Sequence, residues 1–271
     1  MDLTTVIGIV LGIASLVIAF VLEGGSLGGL LAPTAAIIVF GGTIGATIVG
    51  YSLSEVLTIP KLLGIAFKNR DYDVMGTIET IVQLGGKARR EGILGLESEV
   101  AKLENPFLRQ AIQLIIDITD MDAVRSILEQ QIYAMEQRHA VGVGMFEAAG
   151  GYAPTMGILG TVMGLVHVLG SLSDPSSLGP AIAVAFLATL YGVASANLLW
   201  LPIAAKLKNK SQKEKMINEL IMEGALAIYS GRNPTQIRTA LLAFVKGERA
   251  QLSAGESGAT PGEVGKELTE N

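Results

Sequence analysis

Pro154, Thr161 and Thr189 are the residues of this chain whose types and spacing could do chemistry inside an apolar environment. Pro154 and Thr161 stand seven residues apart, about two helical turns, which puts them on a common helix face. A proline inside a helix cannot donate to the carbonyl one turn earlier, so that carbonyl is freed. Thr161, and Thr189 near the middle of the next apolar segment, add hydroxyls. Two hydroxyls and a freed carbonyl on facing helices could form a neutral, oxygen-lined cation path. Threonine in such a helix also bonds back to its own preceding turn, which is the structural reading of each hydroxyl alone. The path by itself supplies no charge.

Small residues surround these oxygens. Gly150, Gly157 and Gly164 recur at a spacing of seven, a face along which two backbones can approach closely. Gly41, Gly42, Gly45 and Gly50, with Ala46 among them, form a second small-residue seam whose role is structural. Ionisable groups are nearly absent from the apolar segments, although a chain that moves ions alone normally carries a buried carboxylate. Glu147, at the edge of the third segment, is either an interfacial acid at a helix start or a functional carboxylate. His167 is either a packing histidine or a proton relay.

Composition removes other chemistries. The chain has no cysteine and two histidines, so disulfides, thiolate nucleophiles, Cys-ligated metals and a His-rich metal site are excluded. A net charge of −5 argues against a nucleic-acid partner. No P-loop or nucleophile–base arrangement is present, so the chain reads as a non-enzyme without a cofactor.

The elements that must hold these residues are membrane helices. A mean hydropathy of +0.49 is high for a soluble domain. No Lys or Arg occurs before Lys61, and none between Arg138 and Lys206. Those stretches contain four segments long enough to cross a hydrocarbon core, which takes roughly 20 helical residues. They lie at about residues 3–22, 33–52, 148–171 and 180–203. The turns joining each pair, Glu23 to Pro33 and residues 171–177 ending near Pro180, carry no Lys or Arg and so face outside. Met1-Asp2-Leu3-Thr4 lacks a basic leader, so the first segment reads as a retained span.

The fold class expected is therefore an all-α integral membrane protein with four transmembrane helices in two hairpins and a large helical cytoplasmic insertion. Residues 1–52 and 148–203 are the hairpins, 53–147 the cytoplasmic helical domain and 204–247 a second cytoplasmic helical segment. Residues 248–271 read as a disordered tail. Both termini are placed in the cytoplasm, with the chain in the inner membrane. Ile78, Ile81, Val82 and Leu84, then Leu94, Leu96, Val100 and Leu103, fit amphipathic helices with short breaks. Asn105-Pro106 is a break, Asp120-Met121-Asp122 a helix start, and Lys206, Lys208 and Lys210 anchor the fourth span.

Two runs carry a resemblance. Gly151-Tyr152-Ala153-Pro154-Thr155-Met156-Gly157-Ile158-Leu159-Gly160-Thr161-Val162-Met163-Gly164 resembles the third span of the flagellar motor stator A-subunit, the MotA/PomA family. Ala88-Arg89-Arg90-Glu91-Gly92-Ile93-Leu94-Gly95-Leu96-Glu97 resembles its rotor-engaging segment. The resemblance covers residues 1–247 and includes the topology. It implies a ring of five A-subunits around a dimer of MotB/PomB-type B-subunits, which supply the ion-binding aspartate. It gives Pro154 and Pro202 the places of the family's two prolines, and Arg89 or Arg90 with Glu97 the contact to the rotor protein FliG. Without it, these charges read as a solvated helix face. Thr161 and Thr189 match positions that carry threonine in sodium-type members, which favours sodium over proton as the transported cation.

A stator subunit that turns an ion gradient into torque is thus the expected function. The alternative is an energy-transducing subunit of the ExbB/TolQ type, acting on an envelope partner and indifferent to charge reversal at Arg89 or Glu97. A stand-alone transporter lacks support, because no intramembrane carboxylate or inverted repeat is evident.

Overall fold

The structure, a computed structural model, describes residues 2–68, 73–170 and 175–256. Among the described residues every regular element is helical, and four helices are long and apolar enough to cross a membrane. The chain divides into two compact units, Met1–Arg70 with Glu136–Ser211, and Asp71–Met135 with Gln212–Asn271.

In the first unit, α1 (Leu3–Leu22) is apolar on all sides and has no buried residue, as expected of a helix whose solvent is lipid. It ends where Gly24 takes φ +85°, a conformation that side-chain-bearing residues rarely adopt. After a 3-10 turn at Leu27–Leu30 come α2 (Pro33–Ala36), with proline at its start, a π turn at Ile37–Gly41, and α3 (Gly42–Val49). Two short helices follow, α4 (Leu53–Val56) and α5 (Ile59–Phe67).

The second unit opens with α6 (Val74–Glu91), whose start is capped by Asp73 accepting from the Gly76 N–H at 2.7 Å. Gly92, at φ +79°, ends it and leads into a 3-10 turn at Ile93–Leu96 and then α7 (Glu97–Val100). Asn105 caps α8 (Pro106–Asp117) through the Phe107 and Leu108 N–H groups. The break expected at Asn105-Pro106 is thus a helix start.

α9 (Met121–Gly170) begins at the expected Asp120–Asp122 signal and runs unbroken through Arg138 and Pro154. α10 (Pro175–Ser195), a π turn at Ala196–Trp200 and α11 (Leu201–Tyr229) form a second long run. Of the turn expected at 171–177, residues 171–174 lie outside the described residues and Pro175 is already helical. Pro180 lies inside α10 rather than before it, in the second turn, where it removes one backbone hydrogen bond. Gly231, at φ +69°, separates α11 from α12 (Pro234–Glu256). α12 continues past residue 247 on helix-forming Glu, Arg, Ala and Gln, and residues 257–271 lie outside the described residues.

The second unit packs on one apolar core. Ile78, Ile81, Leu96, Ile112, Leu128 and Leu220 are fully enclosed there. Val82 and Val100 pack at its margin, but Leu94 of the same sequence pattern is 73% exposed. In the first unit, α5 joins the spans through Ala66, which packs with Val143, Phe146, Ile203, Ala204 and Leu207. Lys206 pairs with Asp2 at 2.6 Å, while the Asp2 N–H donates to the Phe67 carbonyl at 2.8 Å. Lys210 donates to the carbonyls of Ile65 and Lys68, both at 2.6 Å, and so caps the end of α5. Of the three anchoring lysines, Lys208 alone is exposed.

Candidate functional site

Close backbone approach between α9 and α10 sets the site. A Cβ built on Gly157 would lie 2.8 Å from the Ala188 carbonyl and 3.3 Å from the Gly192 Cα. One built on Gly192 would lie 2.6 Å from the Ala153 carbonyl. Gly160 faces Ala188, and Gly164 faces Ala185, each with a built Cβ 2.6 Å from the alanine methyl. Gly150 continues the stripe against Leu201 and Trp200. Only helices bare of side chains along this line can come so near.

That approach brings Thr161 and Thr189 together. Their hydroxyl oxygens lie 2.5 Å apart, and the Thr161 hydroxyl is also 2.9 Å from the Ala185 carbonyl and 3.2 Å from the Gly157 carbonyl. The back-bond to its own helix and the contact across helices are therefore both present at Thr161. A hydroxyl has one proton to donate, so the Thr161 and Thr189 protons cannot satisfy all these oxygens at once. The result is a cluster of neutral oxygens, two hydroxyl and two carbonyl, with both threonines half-buried.

Pro154 lies inside α9, one turn before Gly157, and its missing N–H frees the Gly150 carbonyl. Pro202 is the second residue of α11, just after the π turn Ala196–Trp200, and is exposed. The wide turn fits a proline there, because the ring crowds the carbonyl of Leu198 and offers it no hydrogen bond. The Trp200 indole N–H is buried without a partner among the described residues.

Tyr191, which sequence reasoning missed, locks the non-helical entry to α2. Its hydroxyl donates to the Leu30 carbonyl and accepts from the Ala32 N–H at 3.1 Å. Gly192, Ala185 and Ala188 were legible as small residues three and four apart, matching the glycines of α9. The seam along the π turn and α3 is narrower than its glycines suggest: Gly42 meets Met156, whereas Gly41 and Gly45 face open space. Glu147 is exposed. His167 is exposed too, at an open groove of about 660 Å³ shared with Thr34, Ile38, Met163 and Val184.

The second unit presents the charged set. Arg89 and Arg90 occupy the last turn of α6 and Glu97 opens α7, all three exposed. Among the described residues none of the three makes a side-chain hydrogen bond or ion pair. Lys87, by contrast, donates to Glu99 at 2.7 Å and to Ser98 at 3.1 Å, and Lys102 reaches Glu99 at 3.1 Å. The hydrogen bond from Lys87 holds the Glu99 carboxyl below its ordinary range, and the same bond raises Lys87. The loop is thus clamped by one set of charges while another stays free.

A family described as the MotA/TolQ/ExbB proton channel family matches residues 99–220, and one described as motility protein A N-terminal matches residues 6–92. The chain is 35% identical to motility protein A of Bacillus subtilis (strain 168), over 98% of this chain and 99% of the relative. It is 38% identical to chemotaxis protein PomA of Vibrio alginolyticus, over 92% of this chain and 98% of the relative. Its fold is similar to a chain of the flagellar MotAB stator complex from Bacillus subtilis, with a TM-score of 0.85 and 35% identity, covering 93% of this chain and 99% of that one.

Proposed function

The chain belongs to the MotA/PomA family of flagellar stator A-subunits, and from that premise we propose how its residues turn an ion gradient into torque. It is a membrane stator subunit that works in a complex with a B-subunit of the MotB/PomB type. The spans hold no Asp, Glu, Lys or Arg, so the charge that a moving cation requires comes from that B-subunit as a carboxylate. The observation that carries this reading is the oxygen cluster at Thr161 and Thr189, neutral and incomplete by itself.

The transported cation is sodium. A hard cation takes several oxygen ligands, and a proton needs only the carboxylate and a water chain. Two hydroxyls beside the Ala185 and Gly157 carbonyls support the first case. Pro154 and Pro202 act as the flexible points of the two long helical runs, where a missing backbone bond lets the segment bend as the site fills and empties. Five A-subunits form the ring around the B dimer, with both termini and the second unit in the cytoplasm of the cell, below the inner membrane.

Arg89 or Arg90, together with Glu97, contacts the rotor protein FliG. Exposed charges suit a contact that must form and release at every step, since they steer an encounter more than they hold it. The test is motor speed in a stator-deleted cell expressing this chain with its B-subunit, with sodium titrated at fixed pH. Speed that rises and saturates with sodium supports the whole reading. Speed that follows the proton gradient alone removes sodium and keeps the stator. No rotation from an assembled complex would bring forward the ExbB/TolQ-like role.

A further inference from the structure

Leu94 is the feature of the second unit that its fold does not use. It is 73% exposed, more than any other large apolar side chain among the described residues of that unit, while its neighbour Ile93 packs on the core and Leu96 is fully buried. The exposure is therefore built in rather than a frayed end. The turn that carries Leu94 is closed by the Gly95 N–H donating to the Gly92 carbonyl at 3.1 Å. It is pinned at one side by Gly92 at φ +79° and at the other by the Lys87–Glu99 pair at 2.7 Å. Displaying a leucine on so constrained a turn exposes apolar area to water for no gain in packing.

Its flanks are the charges that have no partner among the described residues. Arg89 and Arg90 lie in the last turn of the helix before Leu94, which ends at Glu91, and Glu97 begins the helix after it. An apolar side chain between free charges of opposite sign has the anatomy of an interface centre with its rim. Charges alone steer and orient, whereas an apolar group that is desolvated on contact supplies holding force insensitive to salt.

We propose that Leu94 is the apolar anchor of the rotor-facing surface, seated in a shallow apolar recess whose edges carry an acidic group opposite Arg89 or Arg90 and a basic group opposite Glu97. This rests on the reading that those charges face the rotor. The division of labour is that the charges set registry and encounter, and Leu94 sets how long each contact lasts under load.

The experiment uses the full chain with its B-subunit in stator-deleted cells, counting engaged stators per motor from stepwise speed changes of a tethered bead. Complex level in the membrane is measured in parallel for Leu94→Ala, Leu94→Met, Arg89→Glu and Glu97→Lys. Leu94→Ala is expected to shorten stator dwell under load about fivefold, the scale of one lost interface contact. Leu94→Met is expected to restore it, with membrane levels unchanged throughout. Parental dwell in Leu94→Ala alongside a defect in Glu97→Lys would remove the anchor and leave the charged surface standing. Parental behaviour in all the variants would remove the rotor-facing reading and the anchor with it. A fall in membrane level for Leu94→Ala would assign Leu94 to assembly instead.

Discussion

The hydroxyls of Thr161 and Thr189 lie 2.5 Å apart across α9 and α10, with the Ala185 carbonyl 2.9 Å from the first of them. Neither threonine could reach the other if Gly157 or Gly192 carried a side chain. The chemistry of the site is therefore a consequence of helix packing, and it can be probed from both ends.

Removing the Thr161 hydroxyl by Thr161→Ala takes one oxygen from the cluster and leaves the glycine contacts in place. Sodium-dependent speed is expected to fall about tenfold at limiting sodium, equivalent to ~1.4 kcal/mol of lost ligation. The level of assembled complex should stay the same. Thr161→Ser should retain most of the speed. Unchanged speed in the alanine variant at limiting sodium would remove the ligand role.

Gly192→Ala tests the packing. The new methyl would lie 3.0 Å from the Gly157 Cα and 2.6 Å from the Ala153 carbonyl, both backbone atoms that cannot swing away. The helices must separate, at a cost of about 1–3 kcal/mol for an overpacked contact. Thermal stability of the purified complex should drop and rotation should fail together. Gly41→Ala, where the built position meets nothing within 4 Å of this chain, serves as the comparison and should leave the stability of this subunit unchanged.

Glu97→Lys reverses an exposed charge with no ion partner among the described residues. Torque at high load is expected to fall several-fold while complex level and ring assembly stay normal. Raised ionic strength inside the cell should weaken the parental motor in the same direction, because exposed charges are screened. Normal swimming in the variant would place the rotor contact elsewhere.

The Lys87–Glu99 clamp makes the second unit sensitive to pH at both extremes. Glu99 titrates below its unfolded value, so its contribution is present above that value and lost as pH falls through the folded one. Lys87 titrates above its unfolded value, so its contribution is present below that value and lost as pH rises through the folded one. Glu99→Gln should flatten the acid limb of a melting-temperature profile where pH falls from the ordinary carboxylate value down through the lower folded one. An unchanged acid limb in Glu99→Gln would show that other carboxylates set it.

Much of this protein was legible in the residues alone. Four apolar runs free of Lys and Arg dictate four spans, since the cost of placing charge in hydrocarbon leaves little choice. The seven-residue glycine spacing marked the face that packs, and the motif around Pro154 and Thr161 carried the family. Asn105 and Asp120 marked helix starts because capping depends on local geometry, which sequence encodes directly.

Tertiary structure decided what depends on partners far apart in the chain. That Thr161 meets both its own Gly157 carbonyl and Thr189 follows from the crossing of two helices 28 positions apart, which no local pattern specifies. The same holds for Tyr191 closing on Leu30, Lys210 capping α5, and Lys206 reaching Asp2. Leu94 shows the reverse case. Its spacing assigns it to the core, but Gly92 redirects the chain into a 3-10 turn, and the change of period from 3.6 to three residues turns that one side chain outward.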